Sequence, residues 1–176
     1  LVTGASGGVG STAVALLSKL GYRVTAVTGK PGAAAWLQEL GAGTVVSRED
    51  VTEESGRPLL KGRWAAVVDT VGGAILATAV RSTAHGGVIT ACGNAASGDL
   101  PLTVYPFILR GVRLIGIDSA WLSQERRRDI WARLGGAWSV VDKLEPLTTE
   151  IGLEEVDERV EAMLAGAVEG RTVIRI

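Results

Sequence analysis

Cysteine and histidine are almost missing from this chain: Cys92 and His85 are the only examples among 176 residues. A single cysteine excludes a disulfide within the chain and a cysteine-rich metal site. With His85 as the sole histidine, a catalytic zinc site of the Cys/His type cannot be assembled either. Charge of one sign is also lacking: 18 Lys and Arg face 19 Asp and Glu, a formal net charge of -1. Without a basic field there is no electrostatic footprint for nucleic acid, and that partner is not expected. No apolar run reaches the roughly 18–20 residues that span a bilayer, so no membrane partner is expected. Tyrosine is scarce, with only Tyr22 and Tyr105. Leu1 is not a methionine and already reads as strand, so the chain is expected to be part of a longer protein. A cytoplasmic location is the expectation that fits this composition. What the sequence has is 24 glycines, with 47% hydrophobic and 21% charged residues. That is an ordinary globular balance, long enough for one core and an appendage.

Short apolar runs alternate with amphipathic ones. Residues 1–3 read as the end of a buried strand, and 8–20 as a helix with Val9, Ala13, Leu16, Leu17 and Leu20 at helical spacing, closed by Gly21. Strands are expected at 23–28, 44–46, 65–69, 87–91 and 112–117, and helices at 31–40, 74–82 and 123–134. Pro31 suits a first helical turn. Residues 48–61 read as a charged surface excursion and 94–106 as loop. After Trp138 the pattern changes: Pro146 breaks the chain, and a strand at 147–151, a helix at 154–165 and a strand at 171–176 follow. Buried strands alternating with helices specify a parallel sheet covered on both faces. The expectation is an α/β, Rossmann-type doubly wound sheet of about six strands over 1–139, with a C-terminal segment over 140–176.

The string Val2-Thr3-Gly4-Ala5-Ser6-Gly7-Gly8-Val9-Gly10 lies between a strand and a helix, and a second strand follows on schedule. That is the context of a dinucleotide phosphate turn, with Ala5, Gly7 and Gly10 at the spacing of the three fingerprint glycines. Gly7 would let the backbone approach a pyrophosphate, Gly10 would let the helix pack closely, and the helix start would hold the phosphates. Ser6, Gly7, Gly8 and Val9 are the candidate pyrophosphate ligands. NAD sites place an Asp or Glu at the end of the second strand. Here Thr28-Gly29-Lys30 stand there, and the next acid, Glu39, lies deep in a helix. A hydroxyl and an ammonium suit a 2′-phosphate, so NADP(H) is the expected cofactor.

The turn is shared by two families of oxidoreductase. Short-chain dehydrogenases need a tyrosine four residues before a lysine, but Ala26 and Leu109 stand four residues after Tyr22 and Tyr105. The sequence instead resembles the medium-chain dehydrogenase/reductase superfamily, its zinc-independent quinone oxidoreductase group, and within that the acrylyl-CoA reductase family. Besides the turn, the resemblance is carried by Asp69-Thr70-Val71-Gly72, Ala91-Cys92-Gly93, Pro106-Phe107-Ile108-Leu109-Arg110, Gly116-Ile117-Asp118-Ser119, Glu125-Arg126-Arg127, Trp131 and Gly170-Arg171-Thr172. It implies hydride transfer from NADPH to the β-carbon of an α,β-unsaturated carbonyl compound, typically acryloyl-CoA, without a metal. Related readings are an NADPH quinone or enone reductase and, from another class, a non-catalytic NADP(H) sensor. Thr70, Cys92, Gly93 and Asn94 would line the cofactor along the carboxyl edge, with Ile108 and Ser119 at its nicotinamide end. Asn94 replaces an apolar residue common in relatives, and Gly43-Thr44 would lie near the adenine. The resemblance further implies a GroES-like catalytic domain outside this chain, to which 140–176 would return, and a homodimer through the strand at 112–117. No catalytic residue is therefore assigned here, and no metal ligand.

The remaining chemistry-bearing residues have plainer readings. Cys92 reads as strand-end packing rather than a nucleophile, and His85, beside Gly86-Gly87, as a turn residue. Asp69 suits a ribose contact or a cap for the Gly72-Gly73 turn equally well. Arg126-Arg127-Arg128 reads as a solvated helix face before it reads as a site for CoA phosphates.

Overall fold

The computed structural model describes residues 1–176. The middle of its main sheet is its shortest piece. Val2 bridges Ala26 on one side and Val68 on the other. Its amide donates to Thr25 O at 2.9 Å, and Thr3 N donates to Val68 O at 3.0 Å. Residues 1–3 thereby join β1 (Val24–Val27) to β3 (Trp64–Asp69). Beyond β1 lies β2 (Ala42–Val46), and beyond β3 lie β4 (Thr83–Ala91) and β5 (Arg113–Gly116), every pairing parallel. Across the sheet the order is β2, β1, residues 1–3, β3, β4, β5. This is the 3-2-1-4-5-6 order of the doubly wound dinucleotide fold, with the six strands expected.

Period-two alternation explains the two-sided core. Leu1, Val27, Val67 and Ile89 enter one apolar cluster with Ile75, Leu76 and Val80 of α3 (Gly73–Arg81). Val2, Val24 and Ala26 enter the other, with Val14 and Ala15 of α1 (Gly8–Lys19) and Leu37 of α2 (Ala34–Glu39). Leu37 is fully buried, and cutting such a side chain back to alanine costs about 2–5 kcal/mol.

Three elements differ from the pattern read in the sequence. Residues expected to close a loop instead begin α4 (Tyr105–Arg110), a helix that starts with Pro106 in its first turn and ends at Gly111, φ 58°. Pro106 is harmless there because a first-turn N–H has no helical acceptor. Strand β4 begins at Thr83 rather than residue 87. The Gly86-Gly87 pair that looked like a turn is an irregularity inside the strand, with Gly86 at φ 71° and a register shift between Trp64 and Ala66 opposite. The third is α6 (Val141–Leu144), absent from the sequence reading. Just before it, Val140 is buried in the α1/α2 cluster, and Lys19 and Lys143 donate to Ser139 O and Leu40 O.

Ser123 caps α5 (Gln124–Leu134), its Oγ accepting from Arg126 N at 3.3 Å. The last segment forms its own β–α–β unit: β6 (Thr148–Ile151), α7 (Val156–Leu164) and β7 (Arg171–Ile174), with β6 and β7 parallel. No helix is long and apolar enough to cross a membrane.

Candidate cofactor-binding site

Parallel strands all end on one edge of a sheet, so the loops after β1, β2, β3 and β4 converge with the turn after residues 1–3. In that turn Ala5 occupies the first fingerprint position and is fully buried. The tight bend is made one residue earlier by Gly4, at φ 58°, where a Cβ would stand 2.2 Å from Thr70 Oγ1. Only glycine fits there. At Gly10 a Cβ would stand 2.2 Å from Gly4 O, so α1 rests directly on the turn.

Gly7 is the N-cap of α1, with no side-chain cap and no acid in the first turn. The amides of Gly8, Val9 and Gly10 have no acceptor in the protein. Donors left open at the positive end of a helix dipole form an anion cradle. A guanidinium completes it. Gly170 N donates to Ser6 O at 2.9 Å and Gly170 bridges Gly7. This contact brings Arg171 over Gly8, where a Cβ would stand 3.0 Å from its Nε. Four donors of this kind fit a pyrophosphate. Arg171 belongs to the Gly170-Arg171-Thr172 motif, but nothing local in sequence ties it to the turn.

The next loop is wired to the same turn. Thr28, buried, donates from Oγ1 to Ser6 Oγ at 3.0 Å and accepts from Lys30 N at 3.1 Å. Its hydroxyl is thus engaged in holding the two loops together. Lys30 Nζ donates to Val168 O. Burial lowers the Lys30 pKa below the usual lysine value; Glu169 opposes that shift and Arg48 adds to it. Arg48 is a second residue that the sequence reading left unassigned, inside its surface excursion. Its guanidinium lies against Gly29, 2.5 Å from where a Cβ would be. The available signal was its place just after β2, at the same edge as Lys30.

At the other end of the edge, Thr70 donates to Thr3 O at 3.1 Å and receives Gly93 against its carbonyl, where a Cβ would be 2.5 Å away. Cys92 and Asn94 flank Gly93 and are exposed. The Cys92 thiol is shielded on the side where it contacts Asp69 O at 3.3 Å, and that partial desolvation together with the Asp69 carboxylate pushes its pKa up. Of the two readings of Asp69, the geometry supports the cap: the residue is fully buried and accepts from Thr3 Oγ1 at 2.6 Å, Val71 N at 3.3 Å and Gly72 N at 2.9 Å. Ile108 stands exposed on α4. Ser119, also exposed, accepts from Arg127 Nη2 through its carbonyl at 2.8 Å. Neither makes a polar contact with the turn. Gly43-Thr44 are corrected outright: they line a cavity with Leu1, Val24 and Trp64 at the amino edge, the opposite end of the strands from the cradle. No three His, Cys, Asp or Glu residues cluster as metal ligands do.

With this geometry, residues 8–134 match the family described as zinc-binding dehydrogenase. The chain is 46% identical, over 180 aligned residues, to a protein of Escherichia coli (strain K12) named "Probable acrylyl-CoA reductase AcuI". It is 41% identical to YhfP of Bacillus subtilis (strain 168), which carries the provisional name of a quinone oxidoreductase. Each alignment covers 100% of this chain and 53% of the relative, so the chain spans about half the length of these proteins. Among solved structures, YhdH oxidoreductase from Salmonella enterica in complex with NADP superposes with a TM-score of 0.94 at 46% identity, covering 99% of this chain and 53% of that one. YhfP with NAD bound superposes at 0.92 with 40% identity and the same coverage.

Proposed function

The chain belongs to the zinc-binding dehydrogenase family, and on that premise we propose that it is the NADP(H)-binding portion of an oxidoreductase that reduces the C=C bond of an α,β-unsaturated carbonyl compound. Acryloyl-CoA, giving propionyl-CoA, is the leading substrate. The observation that carries the proposal is the cradle: three acceptor-free amides at Gly8, Val9 and Gly10 beside the Arg171 guanidinium. NADPH supplies a hydride when bound. The residues of this chain hold and orient it: the α1 start and Arg171 take the pyrophosphate, Lys30 and Arg48 the 2′-phosphate. Thr28 keeps those two loops in register. Thr70, Cys92, Gly93 and Asn94 border the path toward Ile108 and Ser119 at the nicotinamide end.

In this proposal residues 1–139 are the nucleotide-binding domain, and 140–176 return to a GroES-like catalytic domain that supplies the groups facing the substrate carbonyl. The 53% coverage of the relatives supports it, as does the apolar surface that Val160, Met163 and Leu164 of α7 leave exposed. The exposed edge of β5, with Ile115 in the strand and Ile117 just after it nearly half exposed, supports a homodimer through that strand. A cytoplasmic setting accords with the single cysteine. A quinone or enone reductase is the second reading, favoured by the similarity to YhfP. The test is NADPH oxidation by the full-length protein with acryloyl-CoA, crotonyl-CoA and a quinone in parallel. Turnover fastest with acryloyl-CoA supports the first reading, and turnover only with the quinone overturns it in favour of the second.

A further inference from the structure

Thr28-Gly29-Lys30 contains no acid, yet the folded site has one. Glu169, half-buried, arrives from the loop between α7 and β7, and its Oε2 accepts from Trp36 Nε1 of α2 at 3.1 Å. Its neighbours pin the loop: Lys30 Nζ donates to Val168 O, and Gly170 N donates to Ser6 O. The carboxylate therefore has a fixed position beside the Lys30 loop. It does not neutralise that loop by direct pairing, because the ion pairs of the chain are Arg81–Glu53 and Arg175–Glu150. It is close enough to act on the Lys30 ammonium through space, raising the pKa that burial lowers.

We propose that Glu169 sets the choice between NADPH and NADH, opposing the 2′-phosphate and accepting a hydrogen bond from the 2′-hydroxyl. This rests on the dinucleotide reading given above. An acid that accepts from the ribose hydroxyls is what NAD sites employ, ordinarily at the end of the second strand. Here the same charge is delivered by the loop before β7, beside Lys30, whose other charged neighbour is Arg48. Lys30 and Arg48 favour the phosphate, and Glu169 counters them. The protein therefore takes both dinucleotides, and its preference for NADPH is tempered rather than absolute.

The experiment is titration of the full-length protein with NADPH and with NADH, for wild type, Glu169→Gln and Trp36→Phe, with melting curves to confirm folding. Glu169→Gln keeps an acceptor for Trp36 Nε1 and removes only the charge. It raises the NADPH-to-NADH affinity ratio about tenfold, roughly 1.4 kcal/mol, chiefly by tightening NADPH. Trp36→Phe releases the carboxylate toward solvent and moves the ratio in the same direction by less. A folded Glu169→Gln protein with an unchanged or lower ratio overturns the proposal while leaving the dinucleotide reading intact. Wild-type protein that binds neither nucleotide overturns both.

Discussion

Arg171 lies across the first turn of α1 so closely that a Cβ on Gly8 would come within 3.1 Å of its Nη2. The pairing joins the second element of the chain to its last strand. It places a permanent cation where the helix offers only partial charges. Replacing Arg171 with methionine keeps much of the packing and removes the charge. The expected result is a loss of roughly tenfold in affinity for NADPH and NADH alike, as for one charge-assisted contact. Equal losses mark a pyrophosphate contact. A loss confined to NADPH in fluorescence titration would move Arg171 to the 2′ end.

The glycines of the turn divide by what surrounds them. Gly10→Ala drives a methyl into Gly4 O, 2.2 Å away, and Gly7→Ala meets only Gly4 O at 3.4 Å, with φ -87°. Gly10→Ala should cost about 1–3 kcal/mol of stability, read as a lower urea midpoint. Gly7→Ala should melt like wild type and bind NADPH more weakly. Equal melting of the two variants would count against the close contact at Gly10.

Asp69 is buried with three hydrogen-bond donors around it. Asp69→Ala leaves Thr3 Oγ1 and the Val71 and Gly72 amides without their acceptor, at a cost of about 1–3 kcal/mol or more. Denaturant unfolding measures this. A variant as stable as wild type but weaker for NADPH would restore the ribose role.

Lys30 loses its proton at lower pH than an ordinary lysine, because burial disfavours the charged form. A bound 2′-phosphate holds that proton on. NADPH affinity should therefore fall as pH rises through the Lys30 pKa, starting below the roughly 10.4 of an unperturbed lysine. NADH affinity should not follow. Binding curves from pH 7 to 10 check this, and parallel curves for the two cofactors would dismiss Lys30 as a phosphate ligand.

The main sheet was legible because period-two strands and amphipathic helices are local signals: Val2, Ala26 and Val68 each lie in a short run of β-branched or small apolar residues bounded by glycine. The turn was legible for the same reason, since Gly4 to Gly10 is contiguous. Arg48, Glu169 and Arg171 were not, because each reaches the site by tertiary packing from a separate part of the chain, and charged loop residues look alike in sequence. Pro106 and Gly86-Gly87 misled in the opposite sense. They are breakers by composition, but a first-turn proline and a kinked strand accommodate them at little cost. Gly43-Thr44 failed on direction, since a strand has two ends and only one meets the cofactor.

The tie between Lys30 and Val168 spans 138 residues of chain. Synthesis runs from the amino end, and nascent domains fold as they emerge. The sheet from residue 1 through β5 can therefore assemble while the ribosome still holds the residues that finish the cradle. During that interval the turn exists but has no Arg171 above it and no Glu169 beside Lys30. On the roles proposed for Arg171 and Glu169, the cradle is complete only once β7 has docked, and a chain halted after β5 is expected to hold the dinucleotide less tightly.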